Sequence, residues 1–442
     1  MALPLLDWGY MYSVDWAAIR ARPPRPAAAA GTTTAAHVRG WWFPKVAPVV
    51  WSLGFTSLLT DVSSEMVSSV LPIYLLLHLH VSPAAFGLID GLYQGFALLV
   101  RMVAGYVGDR WRRHKAVATF GYALSAVCRL AILAVGGAWT GIAVVVAVDR
   151  AGKGIRTAPR DALISLATPP GELARAFGVH RALDAAGAMI GPLLAFVILT
   201  AMPNAYDVTF VVGFCVALVG LAVIALFVRE PGRVVPVNQS APALSPFALA
   251  GDPRLRQVAI AAGLLSVGTI SDSFIFVTLQ RQVGFDAGVF PLLFVAVSLV
   301  NFVLSAPSGQ LADRFGRRTV FLAGHALLWC SYAALIPDAH PVFRLIVCLA
   351  LLGSYYAATD GVLAAVACEL LPRELYGSGL AFMASVTNAG RLLSSVMFGL
   401  AWSSWGLHTA IVLFMMGLAV GLVGATLVLR TAATIHDAPD PA

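Results

Sequence analysis

Gly105-Tyr-Val-Gly-Asp-Arg-Trp-Arg-Arg-His-Lys115 and Gly309-Gln-Leu-Ala-Asp-Arg-Phe-Gly-Arg-Arg318 are two copies of one pattern. A glycine, an Asp-Arg pair, an aromatic residue and a basic cluster align between them at a constant offset, and each copy follows an apolar segment. Further on, Ala186-Gly187 aligns with Ala389-Gly390 at nearly the same offset. Self-similarity at so long a period describes a duplicated unit, two halves with the same order of elements.

Outward from these copies the chain is apolar. Of its 442 residues 59% are hydrophobic and 12% charged, with a mean hydropathy of +0.83, which excludes an ordinary soluble domain. Segments of spanning length run over approximately 46–78, 84–107, 116–136, 140–166, 179–201 and 207–228, then 257–280, 287–310, 319–337, 342–369, 377–402 and 408–429. The pattern predicts an all-α polytopic membrane protein of twelve transmembrane helices in two pseudo-symmetric six-helix bundles, 46–228 and 257–430. Residues 229–256, with Pro231, Pro236, Pro242, Pro246 and Pro253, read as a cytoplasmic linker. Residues 1–45 lack the order of a signal peptide and read as a disordered cytoplasmic tail; 431–442 form a second tail.

Lys/Arg bias orients the spans. With the amino terminus cytoplasmic, the inner loops receive Arg110, Arg113, Lys115, Arg175, Arg229, Arg314, Arg317, Arg318 and Arg373, and the outer loops little beyond Arg281 and Arg344. Both termini are then expected inside, at a cell membrane. The net charge of +7 is explained by these loops and implies no nucleic-acid partner. Five single cysteines in apolar segments read as packing thiols, without metal-ligand spacing. No phosphate loop, nucleophile elbow or H-E-x-x-H is present, so neither enzyme chemistry nor a cofactor is expected.

Charges inside the spans carry the functional reading. In Asp149-Arg-Ala-Gly-Lys-Gly-Ile-Arg-Thr-Ala-Pro-Arg-Asp161, the residues Asp149, Lys153, Arg156 and Arg160 share one helical face. Each mid-membrane charge costs at least ~2.5–3.5 kcal/mol on insertion scales, so the face should meet partners or water. Asp61 and Glu65 lie four apart in the first span, on one face with Ser57, Ser64 and Ser68. Arg181 and Asp184 in the fifth span are placed to neutralise each other; Asp90, Arg101 and Arg129 read as pairing between helices, and Arg391 as meeting substrate, Asp272 or a structural partner.

The loop copies resemble the signature of the major facilitator superfamily of secondary transporters, over roughly Val46 to Arg430. The first copy matches at Gly105, Asp109, Arg110 and Arg113, with Arg112 in place of a second glycine; the second matches at Gly309, Asp313, Arg314, Gly316 and Arg317. The resemblance implies that these residues form a gate latch closing in one state of the transport cycle. Arg150-Ala-Gly-Lys-Gly154 is similar to a fourth-helix pattern tied to proton coupling, and Gly187-Ala-Met-Ile-Gly191-Pro192 to a fifth-helix pattern of exporters that also lets helices pack closely. The final glycine pair of that pattern is absent here.

In the family, helices 1, 4, 7 and 10 line the central cavity. The resemblance therefore implies that Asp61 and Glu65 face Arg150 and Lys153, with Arg156, Asp272 and Asp360 completing a substrate and proton-coupling site. A static ion-pair network is the alternative. The expected activity is alternating-access transport of a small organic molecule, driven by protons and directed outward, by a monomer in the lipid bilayer. Uptake or exchange of an organic anion, a lipid flippase, and a non-transporting sensor or scaffold stay open beside it.

Overall fold

Proline and glycine punctuate the helices as the backbone requires. The computed structural model describes residues 46–111, 113–169, 172–229, 249, 251–336, 340–371 and 375–434. Helix α1 (Pro48–Ile73) starts on a proline, where the missing N–H is no loss, and runs into a π-turn, Tyr74–His78, just after Pro72 has removed a donor from the ladder. There follow α2 (Pro83–Trp111), α3 (His114–Ala134), α4 (Trp139–Leu166), α5 (Leu173–Ala201) and α6 (Tyr206–Phe227).

The second half comprises α7 (Pro253–Val267), α8 (Asp272–Val283), α9 (Pro291–Phe315), α10 (Arg317–Ala334), α11 (Pro341–Glu369), α12 (Tyr376–Trp405) and α13 (Leu407–Thr434). Helices α7 and α8 together make the seventh span, and the expected continuous helix over 257–280 is broken at Gly268-Thr-Ile-Ser271. Backbone groups freed there are buried and take partners from neighbouring helices. The Ile270 amide donates to Tyr332 Oη at 2.6 Å, Tyr332 Oη donates to the Gly268 carbonyl at 3.3 Å, and Ser394 Oγ donates to the Thr269 carbonyl. Non-helical backbone at membrane depth survives only with such satisfaction. The break is signalled by a glycine followed by Ser-Asp, a helix stop and then a start.

Among the described residues, seven segments are long and apolar enough to cross a membrane on composition alone. Helices α1 and α4 have spanning length but carry charges, turned toward other helices. The outer faces of α9 and α13 instead present Phe302 and Val420, 78% and 73% exposed, which suits lipid rather than water. Within the first half α1 packs on α5 and α6, and α4 on α2 and α3; within the second, α11 packs on α9 and α10, and α7 on α12 and α13. A Cβ added at Gly191 would stand 2.6 Å from the Val62 carbonyl oxygen, and one at Gly187 2.5 Å from that of Leu58, so only glycine allows the α1–α5 approach.

The halves meet mainly through α2 against α12 and α5 against α9. Their contact is tightest toward the face opposite the termini. There the Ala84 amide donates to Ser403 Oγ at 2.9 Å, and Ser395 Oγ donates to the Asp90 carboxylate at 2.6 Å nearer mid-depth. Phe86 of α2 stacks edge-on with Phe274 of α8 at 4.9 Å, and Phe398 and Trp402 of α12 complete the aromatic plug. Toward the termini, Asp313, Asp360 and Glu369 have side chains 72%, 59% and 55% exposed. The halves close on each other at the face opposite the termini.

Candidate functional site

Helices α1 and α4 are neighbours running in opposite directions, so polar positions climbing one meet positions descending the other. Ser57 Oγ accepts from Arg160 Nη1 at 2.9 Å, and Asp61 lies 3.8 Å from Arg156 Nη2. One turn higher, Glu65 is level with Lys153. Arg156 also lies over the Tyr122 ring at 4.8 Å. These pairings correct the expectation that Asp61 faces Arg150.

Arg150 is held elsewhere. Its Nε donates to Asp149 Oδ2 at 3.0 Å, its Nη2 reaches the same oxygen, and its guanidinium lies 3.9 Å from the Tyr93 ring centroid. Arg129 Nη1 donates to Asp149 Oδ1 at 2.8 Å, and its Nη2 donates to Ser64 Oγ at 2.8 Å. Two guanidiniums therefore share one buried carboxylate, with a residual space of only about 10 Å³ beside them. Such a knot is satisfied and dry, and its charges are unavailable to a ligand.

The accessible charges lie across the interface between the halves. A cavity of about 230 Å³ is lined by Glu65, Ser68, Phe86, Asp90, Tyr93, Gln94 and Lys153 from the first half and by Asp272, Ser273 and Phe294 from the second. Glu65 accepts from Ser68 Oγ at 2.7 Å, and the Asp272 oxygens accept from Tyr356 Oη at 2.8 and 2.9 Å. Neither Glu65 nor Lys153 forms an ion pair among the described residues. Three carboxylates and one ammonium thus face a space bounded by aromatic walls, the few convergent polar groups in an apolar lining that mark small-molecule sites.

Asp360 is not part of this cavity. It lies 3.8 Å from Arg391 Nη2, in a second cavity of about 250 Å³ within the second half, with His325, Tyr355, Thr387 and Asn388. Asp184 does not pair with Arg181. It faces His180 Nε2 at 3.5 Å and Arg160 Nη1 at 3.9 Å. In the second loop copy, Arg317 bridges Asp313 at 3.5 Å and Glu369 at 2.9 Å, Arg314 lies over Phe315, and Gly309 borders open space. In the first copy Arg113 is exposed, and the side chains of Gly105, Asp109 and Arg110 lie outside the described residues. Tyr93 and Gln94, which no charge pattern singles out, were missed by sequence reasoning; so was the pairing of Tyr356 with Asp272.

Comparison with known proteins agrees with this architecture. The family model described as Major Facilitator Superfamily matches residues 53–290 and 258–441. An uncharacterised transporter of that type from Methanocaldococcus jannaschii is 28% identical over 369 residues, 80% of this chain and 88% of the relative. An uncharacterised protein of Mycobacterium tuberculosis is 33% identical over 279 residues, 60% of this chain and 66% of its own length. Among solved structures, a point mutant of the nucleoside transporter NupG superposes with a TM-score of 0.74 at 14% identity, covering 86% of this chain and 99% of that one. A bacterial homologue of the human lysosomal transporter Spinster, inward-facing and unoccupied, gives 0.69 at 14% identity, covering 89% and 98%. Duplicated halves, an interfacial polar cavity closed on one side and a family match over nearly the whole described chain lead to one conclusion: the chain belongs to the major facilitator superfamily and is a multi-pass membrane transporter.

Proposed function

We propose that the protein is a proton-coupled secondary transporter that works by alternating access and exports a small cationic or neutral amphipathic organic molecule in exchange for protons. The observation that carries this reading is the sign of the interfacial cavity: Glu65, Asp90 and Asp272 against Lys153 alone. The guanidiniums of α4, which would suit an anion, are engaged away from it, Arg150 with Asp149 and Arg156 with Asp61. A carboxylate that changes solvent access as the halves rock changes its proton affinity, and a cationic substrate competes with the proton for the same oxygens. The membrane potential contributes about 2.3 kcal/mol per charge per 100 mV. With the termini cytoplasmic, the closed face is the external one, and the cavity is loaded from inside.

Proteoliposomes under an imposed pH gradient provide the test, with anionic, cationic and neutral organic probes added in turn. Cationic or neutral probes are expected to evoke proton movement that Asp61→Asn, Glu65→Gln or Asp272→Asn abolishes. Movement of a probe without a proton signal would refute coupling. Exchange of organic anions is the second reading, favoured by Arg391, whose one ion pair among the described residues is with Asp360 at 3.8 Å; proton movement evoked by anions alone, and lost in Arg391→Gln, would select it.

A further inference from the structure

Behind the interfacial cavity a second polar feature runs through the first half alone. At the terminus-bearing end of α4 and α5, a cavity of about 390 Å³ is lined by Thr157, Arg160, Asp161, His180, Arg181 and Asp184, together with Phe177. Both ring nitrogens of His180, a residue only 1% exposed, lack a hydrogen-bond partner among the described residues, as does Asp184 Oδ1. Further in, Arg156 Nη1 is equally orphaned. Each such buried group is destabilising if it stays dry. A polar cavity of this size holds several waters, each able to make two to four hydrogen bonds, and a small rotation of the His180 ring brings its nitrogens to them.

We infer that protons reach the terminus-bearing face through this seam between α1, α4 and α5, apart from the substrate cavity, and that His180 and Asp184 are its proton-exchanging end. The inference rests on the proton coupling proposed above. At the inner end Glu65 lines the substrate cavity, Asp61 stands one turn below it, and Asp61 lies 3.8 Å from Arg156. At the outer end His180 Nε2 lies 3.5 Å from Asp184 Oδ2. The transfer balances without any co-reactant: a protonated Asp184 carboxyl passes its proton to Nε2, Nδ1–H gives one to water as hydronium, and the imidazole ends neutral in its other tautomer. The acids Asp61, Asp161 and Asp184 face the guanidiniums of Arg156, Arg160 and Arg181 around this path, so the seam carries no large net charge to repel a proton. Ser57 fixes Arg160 from the α1 side, which leaves the His180–Asp184 pair facing the water. Separate routes let a bulky substrate occupy the central cavity without blocking the proton.

Two measurements on the full-length protein need no substrate. In the first, diethyl pyrocarbonate is applied to reconstituted native protein from either face and modified histidines are mapped by mass spectrometry. His180 is expected to react from the terminus-bearing face and not from the other; an unreactive His180 overturns the hydrated seam. In the second, protons bound by purified native protein between pH 7.5 and 4 are counted against those bound by His180→Gln and by Asp184→Asn. Each variant is expected to bind fewer protons than native, and no difference for either overturns the exchanging pair. The proteoliposome assay separates this inference from the broader one. Loss of proton movement in native protein defeats the coupling proposal itself, whereas proton movement that persists unchanged in His180→Gln defeats only the seam.

Discussion

Asp149→Ala isolates the charged knot behind the cavity. Asp149 accepts from Arg129 Nη1 at 2.8 Å and from Arg150 Nε at 3.0 Å, and both arginines are 3% exposed. After truncation Arg129 keeps Ser64 Oγ at 2.8 Å and Ser63 Oγ at 3.4 Å, and Arg150 keeps the Tyr93 ring. The space beside them is about 10 Å³, so the deletion leaves Arg150 little more room for water than the carboxylate's own volume. Removing one partner from a buried ion pair costs about 3–5 kcal/mol, chiefly from the orphaned charge, and with two arginines at stake the upper end applies. Unfolding in mixed micelles can be followed by a thiol-reactive dye, because Cys128 and Cys348 are buried in the fold. The late thiol phase is expected to shift by about 3–5 kcal/mol in Asp149→Ala, and Asp149→Ala combined with Arg150→Met to recover more than half of that. A single variant within about 1 kcal/mol of native would refute the knot's structural role.

Three further outcomes follow from close contacts. Gly191→Val should cost about 1–3 kcal/mol or more, since its Cβ would meet backbone atoms of Val62 and Met66 at 2.6 and 2.9 Å, whereas Gly178→Ala, open on all sides, should leave the yield of monodisperse protein unchanged. Tyr332→Phe should cost about 1–3 kcal/mol in the same thiol assay by orphaning the Ile270 amide in the broken span. Ala84→Cys with Ser403→Cys should form a disulfide under mild oxidation and arrest transport; failure to cross-link, or full transport when cross-linked, would contradict closure at that face.

The repeat, the apolar spans and the expensive mid-membrane charges were all legible before any coordinates, because each depends on local composition and a fixed helical rise. Partner choice was not. Four- and three-residue spacing says that Asp149, Lys153 and Arg156 share a face, yet the residue opposite is decided by which helix packs there and at what height. Arg129 of α3 could not be matched to Asp149 without knowing that α3 and α4 pack together. The α1–α4 ladder is different, since antiparallel neighbours impose their own rule: positions 57, 61 and 65 ascend as 160, 156 and 153 descend. Once Ser57 on Arg160 fixes the height of these antiparallel helices, the register of Asp61 on Arg156 is derivable from numbering. The broken seventh span was visible as Gly268 before Ser271-Asp272, but a twelve-span count absorbs one short interruption without conflict.

A cation-rich helix beside a transport cavity invites the conclusion that the substrate is anionic, and geometry reverses it. Arg150 is spent on Asp149, Arg156 leans on Asp61, and Arg160 meets Ser57 and Asp161. What remains for the cavity is Lys153, outnumbered by acids from α1, α2 and α8. Burying guanidiniums is tolerable only where each finds a nearby acid or aromatic face, so the charge density of α4 is itself the reason that few of its cations are available. The sign of a membrane-embedded site is therefore set by its unpaired residues, and here those include Glu65 and Lys153 on facing helices, one turn above the first ion pair of the ladder. A substrate or proton arriving between them meets the first exchangeable charge of the first half, while the paired charges below hold the helices together.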